Sequence, residues 1–475
     1  MKKLGVIVLI VLLLGAVGWA GTTYVIGSKA QHECARIAER YQHWGPMSFT
    51  VENYARGFFS SKARTVFTMQ VPPPKEKAPQ IEALKVVFDN TVHHGPFLPD
   101  GGTGLALIET RVVSISPPGG DAFEKFLAKY PQLKNPVVVT KIAFDGTDNI
   151  QANIPPVEDT FGGEHFRWHG LKAEGVIAPG AKSLTGSFAM PGMDLHGKDG
   201  DMSWAGASGR FDVNEALPQL YVGTSEAKIG SMNMQVDDSA GAEIVAFDMK
   251  GMDLTSVSSY KDGLVQARQS MAFAGVTADG KTYGPGALEL EELNLAAEPL
   301  ASFQQQVTEL YRGQTTADPQ ALMGRMLPLY QQLFMKLAAG KPELNIRRLH
   351  FAMPQGDIDG SLLVSFADGP GLDLKNPLGL LQRLEAKADL AVTEQLVRFL
   401  VASRAEGDLK KARKDGSLPA YSDAKIAELA QMQTSQQIIA VLSQNLAVRD
   451  GDKIKTSARL HGGELTVNGQ TQKLF

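Results

Sequence analysis

The chain has 475 residues, 47 Lys and Arg against 51 Asp and Glu, a formal net charge of −4, and 43% hydrophobic residues. This length and apolar content suit a large folded body and exclude a disordered chain. No global basic excess exists to neutralise phosphates, which excludes nucleic-acid binding as a main role. The single cysteine, Cys34, excludes an intramolecular disulfide and a cysteine-based metal cluster.

The first element predicted is a membrane anchor. After Met1-Lys2-Lys3 no charged residue occurs before Lys29. The run from Leu4 through Ile10 and Leu14 to Ile26 would make a helix of about 35 Å, enough to cross a hydrocarbon core of about 30 Å. Trp19 and Tyr24 lie toward its far end, where amphipathic rings favour the interface. Lys2 and Lys3 favour a cytoplasmic N-terminus. A cleaved signal is the competing reading, with Gly18 and Ala20 as small residues before a cut. Its apolar core, though, usually runs about 7–15 residues, so an uncleaved tether over 1–28 is expected. Gln31-His32-Glu33 stand where a lipobox before Cys34 would be apolar.

Residues 29–298 read as strands. Thr65–Val71, Gly186–Met190 and Ala246–Met249 alternate with period two. Asp-Gly turns recur at 100–101, 145–146, 199–200, 262–263 and 279–280. One buried and one wet face is the pattern of antiparallel meanders. Pro191–Leu195 is echoed by Lys250–Leu254, a weak repeat consistent with successive hairpins. A short helix is expected over Asp121–Tyr130. Residues 299–342 read as a helical segment, Pro299–Ala339, broken between Gly313 and Pro319. Residues 343–475 read as a hairpin (Asn345–Met353, Ile358–Phe366), a helix capped by Thr393 and running through Val401, and a second from Ser422 to Leu446. Two closing strands follow, Ile454–His461 and Glu464–Asn468, turned by Gly462-Gly463. The fold class expected is β-rich α+β: a transmembrane helix, then a long, mostly antiparallel, repetitive sheet with helices near 299–339 and 392–446.

Several motifs invite chemistry. Gly275–Thr282 matches the phosphate-loop pattern, but Tyr283-Gly284-Pro285-Gly286 cannot open the helix that such a loop needs. It reads as a hairpin turned at Asp279-Gly280. His165 and His169 have metal-ligand spacing on a helix, yet the surrounding Phe166 and Trp168 read as a half-exposed strand. Asp357-Ile358-Asp359-Gly360 lacks the distal Glu of a calcium loop and reads as the hairpin turn. No nucleophile elbow or convincing Cys/His pair is present. No catalytic, cofactor-binding or metal-binding residue is assigned, and no nucleotide or nucleic-acid partner is expected.

Three segments, in order, carry a family resemblance: Tyr54-Ala55-Arg56-Gly57-Phe58-Phe59-Ser60-Ser61, His94-Gly95-Pro96-Phe97, and Leu465-Thr466-Val467-Asn468-Gly469. With the apolar N-terminus, the chain resembles the YdgA-like family of Gram-negative bacteria, a family of unknown function. The resemblance implies an inner-membrane anchor with a single N-terminal span and a periplasmic body. It supplies no catalytic residues. Arg56-Gly57 is expected as a turn with positive φ at Gly57, and His94-Gly95-Pro96 as a bend closing strand Leu84–Val92. The alternative role for Arg56 and His94 is a contact surface near the membrane. The function expected is a non-enzymatic binding, scaffold or lipid-handling protein of the cell envelope, with the bilayer and envelope proteins or lipids as partners. The alternative is a hydrolase of envelope polymers with an acidic active site. The lipid version requires an apolar groove.

Overall fold

A computed structural model describes residues 47–70, 83–116, 128–161, 163–198, 200–237, 243–278, 280–312, 319–367 and 382–474. The apolar run Leu4–Ile26 and Cys34 lie outside these residues, as does most of the helix expected over Asp121–Tyr130. No helix among the described residues is long and apolar enough to cross a membrane. The described helices are α1 (Ala297–Arg312), α2 (Pro319–Ala338), α3 (Glu394–Lys414) and α4 (Asp423–Ser443); the rest is dominated by antiparallel strands. The β-rich, antiparallel expectation is met. The chain divides into two compact units. The first comprises Met1–Asp194, Gly206–Gly223 and Ala301–Gln331; the second comprises Leu195–Ala205, Thr224–Leu300 and Gln332–Phe475.

In chain order the first strands are β1 (Met47–Arg56), β2 (Ser60–Gln70), β3 (Ala83–His94), β4 (Ala106–Ser116), β5 (Val138–Ile142), β6 (Asp148–Ile154), β7 (Val157–Phe161), β8 (Glu164–Trp168), β9 (Leu171–Ile177) and β10 (Ser183–Met190). Next come β11 (Met193–Gly197), β12 (Gly200–Trp204) and β13 (Ala207–Leu217). The first unit is a meander, β1-β2-β3-β4-β5-β6-β9-β10-β13, every pair antiparallel. Residues directly opposite share a face, so the register sorts the sequence by polarity. Ser61, Val92, Ile108, Thr140 and Ile150 form one row; Lys62, Thr91, Glu109, Val139 and Gln151 form the neighbouring row on the other face. The β7–β8 hairpin closes over Tyr130, Leu133 and Val157, with Ile154 and Trp168 packed against them. Burying Tyr130 is tolerable because its hydroxyl donates to the Glu158 carbonyl at 2.7 Å.

The remaining strands are β14 (Leu220–Ile229), β15 (Met232–Asp237), β16 (Glu243–Met249), β17 (Met252–Lys261), β18 (Leu264–Phe273), β19 (Val276–Ala278), β20 (Lys281–Tyr283), β21 (Gly286–Ala296), β22 (Glu343–Met353), β23 (Gly356–Phe366) and β24 (Leu384–Thr393). Then follow β25 (Val448–Asp450), β26 (Lys453–His461), β27 (Glu464–Val467) and β28 (Gln470–Lys473). In the second unit a meander runs from Thr224 of β14 through β17, β18, β21, β22, β23, β24, β26 and β27 to β28. A smaller ladder pairs β12, β15, β16, β19 and β20. Asp262 and Gly263, with φ of 52° and 80°, make the two-residue turn between β17 and β18.

Gly275–Thr282 is the β19–β20 hairpin with Gly280 at φ 70°, and no helix follows it. Three readings need correction. Asp357–Gly360 is not the hairpin turn. Met353 pairs with Gly356, so Pro354-Gln355 turn the chain and the two aspartates lie in β23. Pro354 lacks a ladder donor and falls naturally in the turn. The helix after Thr393 runs to Lys414, not Val401, through a stretch with no proline and with Glu394–Arg398 and Glu406–Lys410 ion pairs. Thr393 stands at the N-cap, but its side chain makes no capping bond. Ser422, by contrast, accepts from the Lys425 amide at 3.3 Å.

Candidate functional site

Tyr54, Arg56, Gly57, Phe59, Ser61, His94, Gly95 and Pro96 gather at one end of the first unit's sheet. Arg56 and Ser61 are the last pair of β1–β2, and Tyr54 sits opposite Ala63. The Gly57 amide donates to the Ser60 carbonyl at 2.9 Å. Contrary to expectation, Gly57 does not have positive φ. Glycine is needed because a Cβ there would collide with the Ser60 carbonyl oxygen. Gly95 is needed for the same reason against Gly104, and the Gly95–Pro96 peptide is cis.

His94 closes β3 and ties the two loops together. Its amide donates to the Phe59 carbonyl at 2.9 Å. Its Nδ1 lies 3.0 Å from the Phe58 carbonyl, and its Nε2 lies 2.9 Å from Ser61 Oγ. A carbonyl only accepts, so Nδ1 carries the proton and Ser61 donates to Nε2. That is the tautomer of a serine–base pair. Yet Ser61 is 1% exposed and His94 4%, which leaves no approach for a substrate. Burial holds the His94 pKa below its ordinary value. The pair is a neutral pin, with every polar atom satisfied.

What the pin supports is exposed. Phe58 and Phe59 are 47% and 54% accessible, their rings edge to face at 4.8 Å. Phe97, the last residue of the second motif, and Phe144, which sequence reasoning missed, are 68% and 56% accessible. The available signal was a lone aromatic residue inside a turn. Asn468 and Gly469 belong to the second unit and form the β27–β28 turn with φ of 45° and 84°. The Asn468 side chain donates to the Asn445 carbonyl at 2.9 Å and accepts from the Ser457 amide at 2.9 Å. It joins the end of α4 to the closing strands.

A second constellation lies on the polar face of the second unit. Lys453 Nζ donates to Asp357 at 2.9 Å and to Asp359 at 2.8 Å. His350 Nδ1 donates to Asp359 at 2.7 Å, and Thr393 Oγ1 donates to Asp357 at 2.5 Å. The Thr393 hydroxyl and the Lys453 ammonium hold the Asp357 carboxyl at about 2. Among the described residues His350, Asp357 and Asp359 could offer three metal ligands. The ammonium of Lys453 already bonds to both carboxylates, so a cation there would have to displace it. The sequence marked Asp357 and Asp359 by their spacing, but gave no sign that His350, Thr393 and Lys453 join them. His165 and His169 do not converge: one faces Glu158 at 3.3 Å, the other Asp194 at 2.9 Å.

The opposite face of that sheet is apolar over many strands. Register places Leu254, Met271, Leu288, Leu349, Gly360 and Leu390 in one row. Flanking rows carry Met252, Phe273, Phe351, Ile358, Val392 and Ile454, and Leu290, Ile346, Leu362, Ala388, Ala458 and Val467. Phe334 of α2 packs on Phe366 with ring centres 5.8 Å apart. Met271, Leu344, Leu349 and Leu390 remain 38–40% accessible. A groove of about 430 Å³ opens over Ala227, Leu254, Met271, Leu288 and Leu290, with polar residues that include Ser256 and Gln269 also in its lining. Glu292, opposite Leu344, has its pKa raised by burial, consistent with an apolar setting.

The model of a family described as a bacterial protein of unknown function (DUF945) matches residues 1–474. The chain belongs to this family. Within the DUF945 family it is similar to Protein YdgA of Escherichia coli (strain K12), 21% identical over 515 aligned residues that cover 100% of this chain and 95% of that protein. No solved structure matches the chain.

Proposed function

We propose that this DUF945 protein is a membrane-anchored, periplasmic, non-enzymatic protein that holds lipid acyl chains against the apolar face of its second unit. The observation that carries the reading is the run of apolar rows from β14 to β27. Nine strands at about 4.8 Å spacing give a surface about 38 Å across. Three rows about 6.8 Å apart give about 14 Å along the strands, comparable to the roughly 15 Å depth of one leaflet's hydrocarbon. A half-open apolar surface of this extent needs an occupant. An acyl chain matches its uniform, non-directional chemistry better than a protein would, since protein interfaces carry a polar rim and hydrogen bonds. The uncharged stretch Leu4–Ile26 supports a tether that keeps the body beside a lipid source.

The hydrolase alternative draws less support. A general acid needs a carboxyl whose pKa is raised toward the working pH. Burial raises Asp148 and Glu292, but the two carboxylates that cluster, Asp357 and Asp359, are shifted the opposite way, Asp357 to about 2.

The test is site-specific photocrosslinking in cells whose lipids carry radioactive phosphate. A benzophenone residue replacing Leu288, Leu290 or Leu349 in the full chain should capture labelled lipid; one replacing Arg268 or Arg348 on the opposite face should not. Equal or absent labelling on both faces would refute the reading. Resistance to alkaline carbonate and protease access in spheroplasts test the anchor and the location separately.

A further inference from the structure

Among the described residues of the first unit six phenylalanines are exposed; Phe188 and Phe211 lie within β10 and β13, and the four most exposed lie at one edge. The β1–β2 loop carries Phe58 and Phe59, the β3–β4 loop Phe97, and the β5–β6 turn Phe144. Register puts all three connections at the same end: Arg56 pairs with Ser61, His94 with Ala106, Ala106 with Ile142, and Ile142 with Asp148. Alternate connections of a meander are about 9–10 Å apart, so the rim extends about 20 Å.

Each support is rigid. The first loop is held by the His94–Ser61 pin. The second is a folded tongue in which Phe97 bridges Thr103, Leu98 accepts from Gly101, and Gly104 donates to Pro96. The third is closed by Ala143 donating to Thr147, with the Thr147 amide bonded to Asp145. These rings are therefore displayed on ordered backbone, at exposures of 47–68%. Two acidic groups at this end of the sheet are paired: Asp100 bonds to Lys141 at 2.9 Å, and Glu215 at the β13 end bonds to Lys182 at 2.7 Å.

We infer that this aromatic rim inserts into the interface of the bilayer that carries the chain's own N-terminus. Separate apolar tips on polar turns do not make the contiguous, complementary patch that a protein partner requires. A lipid interface moulds around such tips, and aromatic rings prefer that depth. The contact is made by aromatic rings, for which zwitterionic lipid suffices. A few rings alone bind weakly, but a tether turns insertion into an intramolecular event at high effective concentration. Residues 27–46 can reach at most about 65 Å, roughly twice the length of β1 at about 33 Å, so the rim can return to the same bilayer. The inference rests on the anchor and not on acyl-chain binding.

The experiment uses the full chain with Cys34→Ser, reconstituted in phosphatidylcholine vesicles. An environment-sensitive fluorophore is placed by Phe58→Cys, Phe97→Cys or Phe144→Cys, with Lys172→Cys at the opposite end of the sheet as control. At the three rim positions, lipids spin-labelled in the acyl chain should quench the probe. Iodide quenching there should be several-fold weaker than at position 172. Rim probes as open to iodide as the control would overturn the inference. So would probes shielded from iodide yet untouched by lipid quenchers, which would indicate a second copy of the chain. Carbonate extraction of the same vesicles reports whether the anchor holds, so loss of the tether and exposure of the rim are read independently.

Discussion

At the loop end of the first unit a serine meets a histidine with no charge between them; on the polar face of the second unit an ammonium, two carboxylates, an imidazole and a hydroxyl meet. Both have the composition of reactive sites. The first is sealed, with Ser61 and His94 4% exposed or less. The second is open to water, with the Lys453 and Asp357 side chains 26% and 31% accessible. Desolvation governs one, and hydrogen bonds from Thr393 and then Lys453 govern the other, so the two shift pKa values by different causes. The comparison teaches that residue types do not make a site: each of these side chains is already bonded to a neighbour, in the first case out of reach of water and in the second within a charged network.

The comparison breaks most readily at the sealed site. His94→Ala leaves the Ser61 hydroxyl and the Phe58 carbonyl buried without their partner, at a cost of about 3 kcal/mol. Denaturant unfolding should show it as a lower midpoint. Proton linkage adds a second signature. The folded His94 binds its proton less readily than the unfolded one, whose ordinary value is 6.5. Its contribution is therefore complete above that value and declines as pH falls below it. The decline should vanish in His94→Gln. A wild-type stability that is flat from pH 7 to 5 would contradict the sealed description.

At the open site the expected effect is smaller. Lys453→Met leaves Asp357 and Asp359 facing each other and should cost about 1–2 kcal/mol at neutral pH, discounted for water access. Asp357 titrates at about 2 instead of 3.8, so its stabilisation is present above 3.8 and is lost as pH falls toward 2. The variant should therefore approach wild type in acid, a recovery visible in thermal midpoints at pH 7 and pH 3. With the ammonium gone, millimolar calcium should raise the midpoint of Lys453→Met more than that of wild type.

Much of the fold was legible because hydrophobic alternation and turn chemistry are local. Asp262-Gly263, Asp279-Gly280 and Gly462-Gly463 announce hairpins without reference to anything distant. The satisfaction of polar groups is not local. Lys453 reaches Asp357 across 96 positions, and Ser61 reaches His94 across 33. The motif residues His94 and Ser61 stood out as letters, while their mutual bond depended on register. The apolar face was equally hidden, since Leu254, Leu288 and Leu349 become one row only when the strands pair. Thr393 shows the limit of capping rules: a threonine before an acidic residue looked like a helix cap, but Asp357 from another strand takes its hydroxyl.

Asn468 extends the same lesson to a residue singled out by its motif. Its side chain bonds both Asn445 and Ser457, so Asn468→Ala should cost about 1–2 kcal/mol, less than loss of the sealed pin. Asn468→Gly keeps the positive φ and separates the turn's demand from the side chain's. If Gly restores stability fully, the motif is about backbone shape alone.

The smallest effect sharpens the distinction between a cap and a network. Ser422 caps α4, and Ser422→Ala should cost about 0.5–1 kcal/mol, independent of Lys453. Thr393 occupies the equivalent position before α3 but bonds only into the charged cluster. Thr393→Ala should therefore be non-additive with Lys453→Met, while Ser422→Ala with Lys453→Met should be additive within a few tenths of a kcal/mol. Both cycles can be read from urea midpoints. Additivity in both would mean that Thr393 behaves as an ordinary helix start, and that Asp357 gains its low pKa from Lys453 with little help from the hydroxyl. Coupling in the first cycle alone would place Thr393 inside the charged network and leave α3 to start on the tertiary packing of Leu396, which is fully buried.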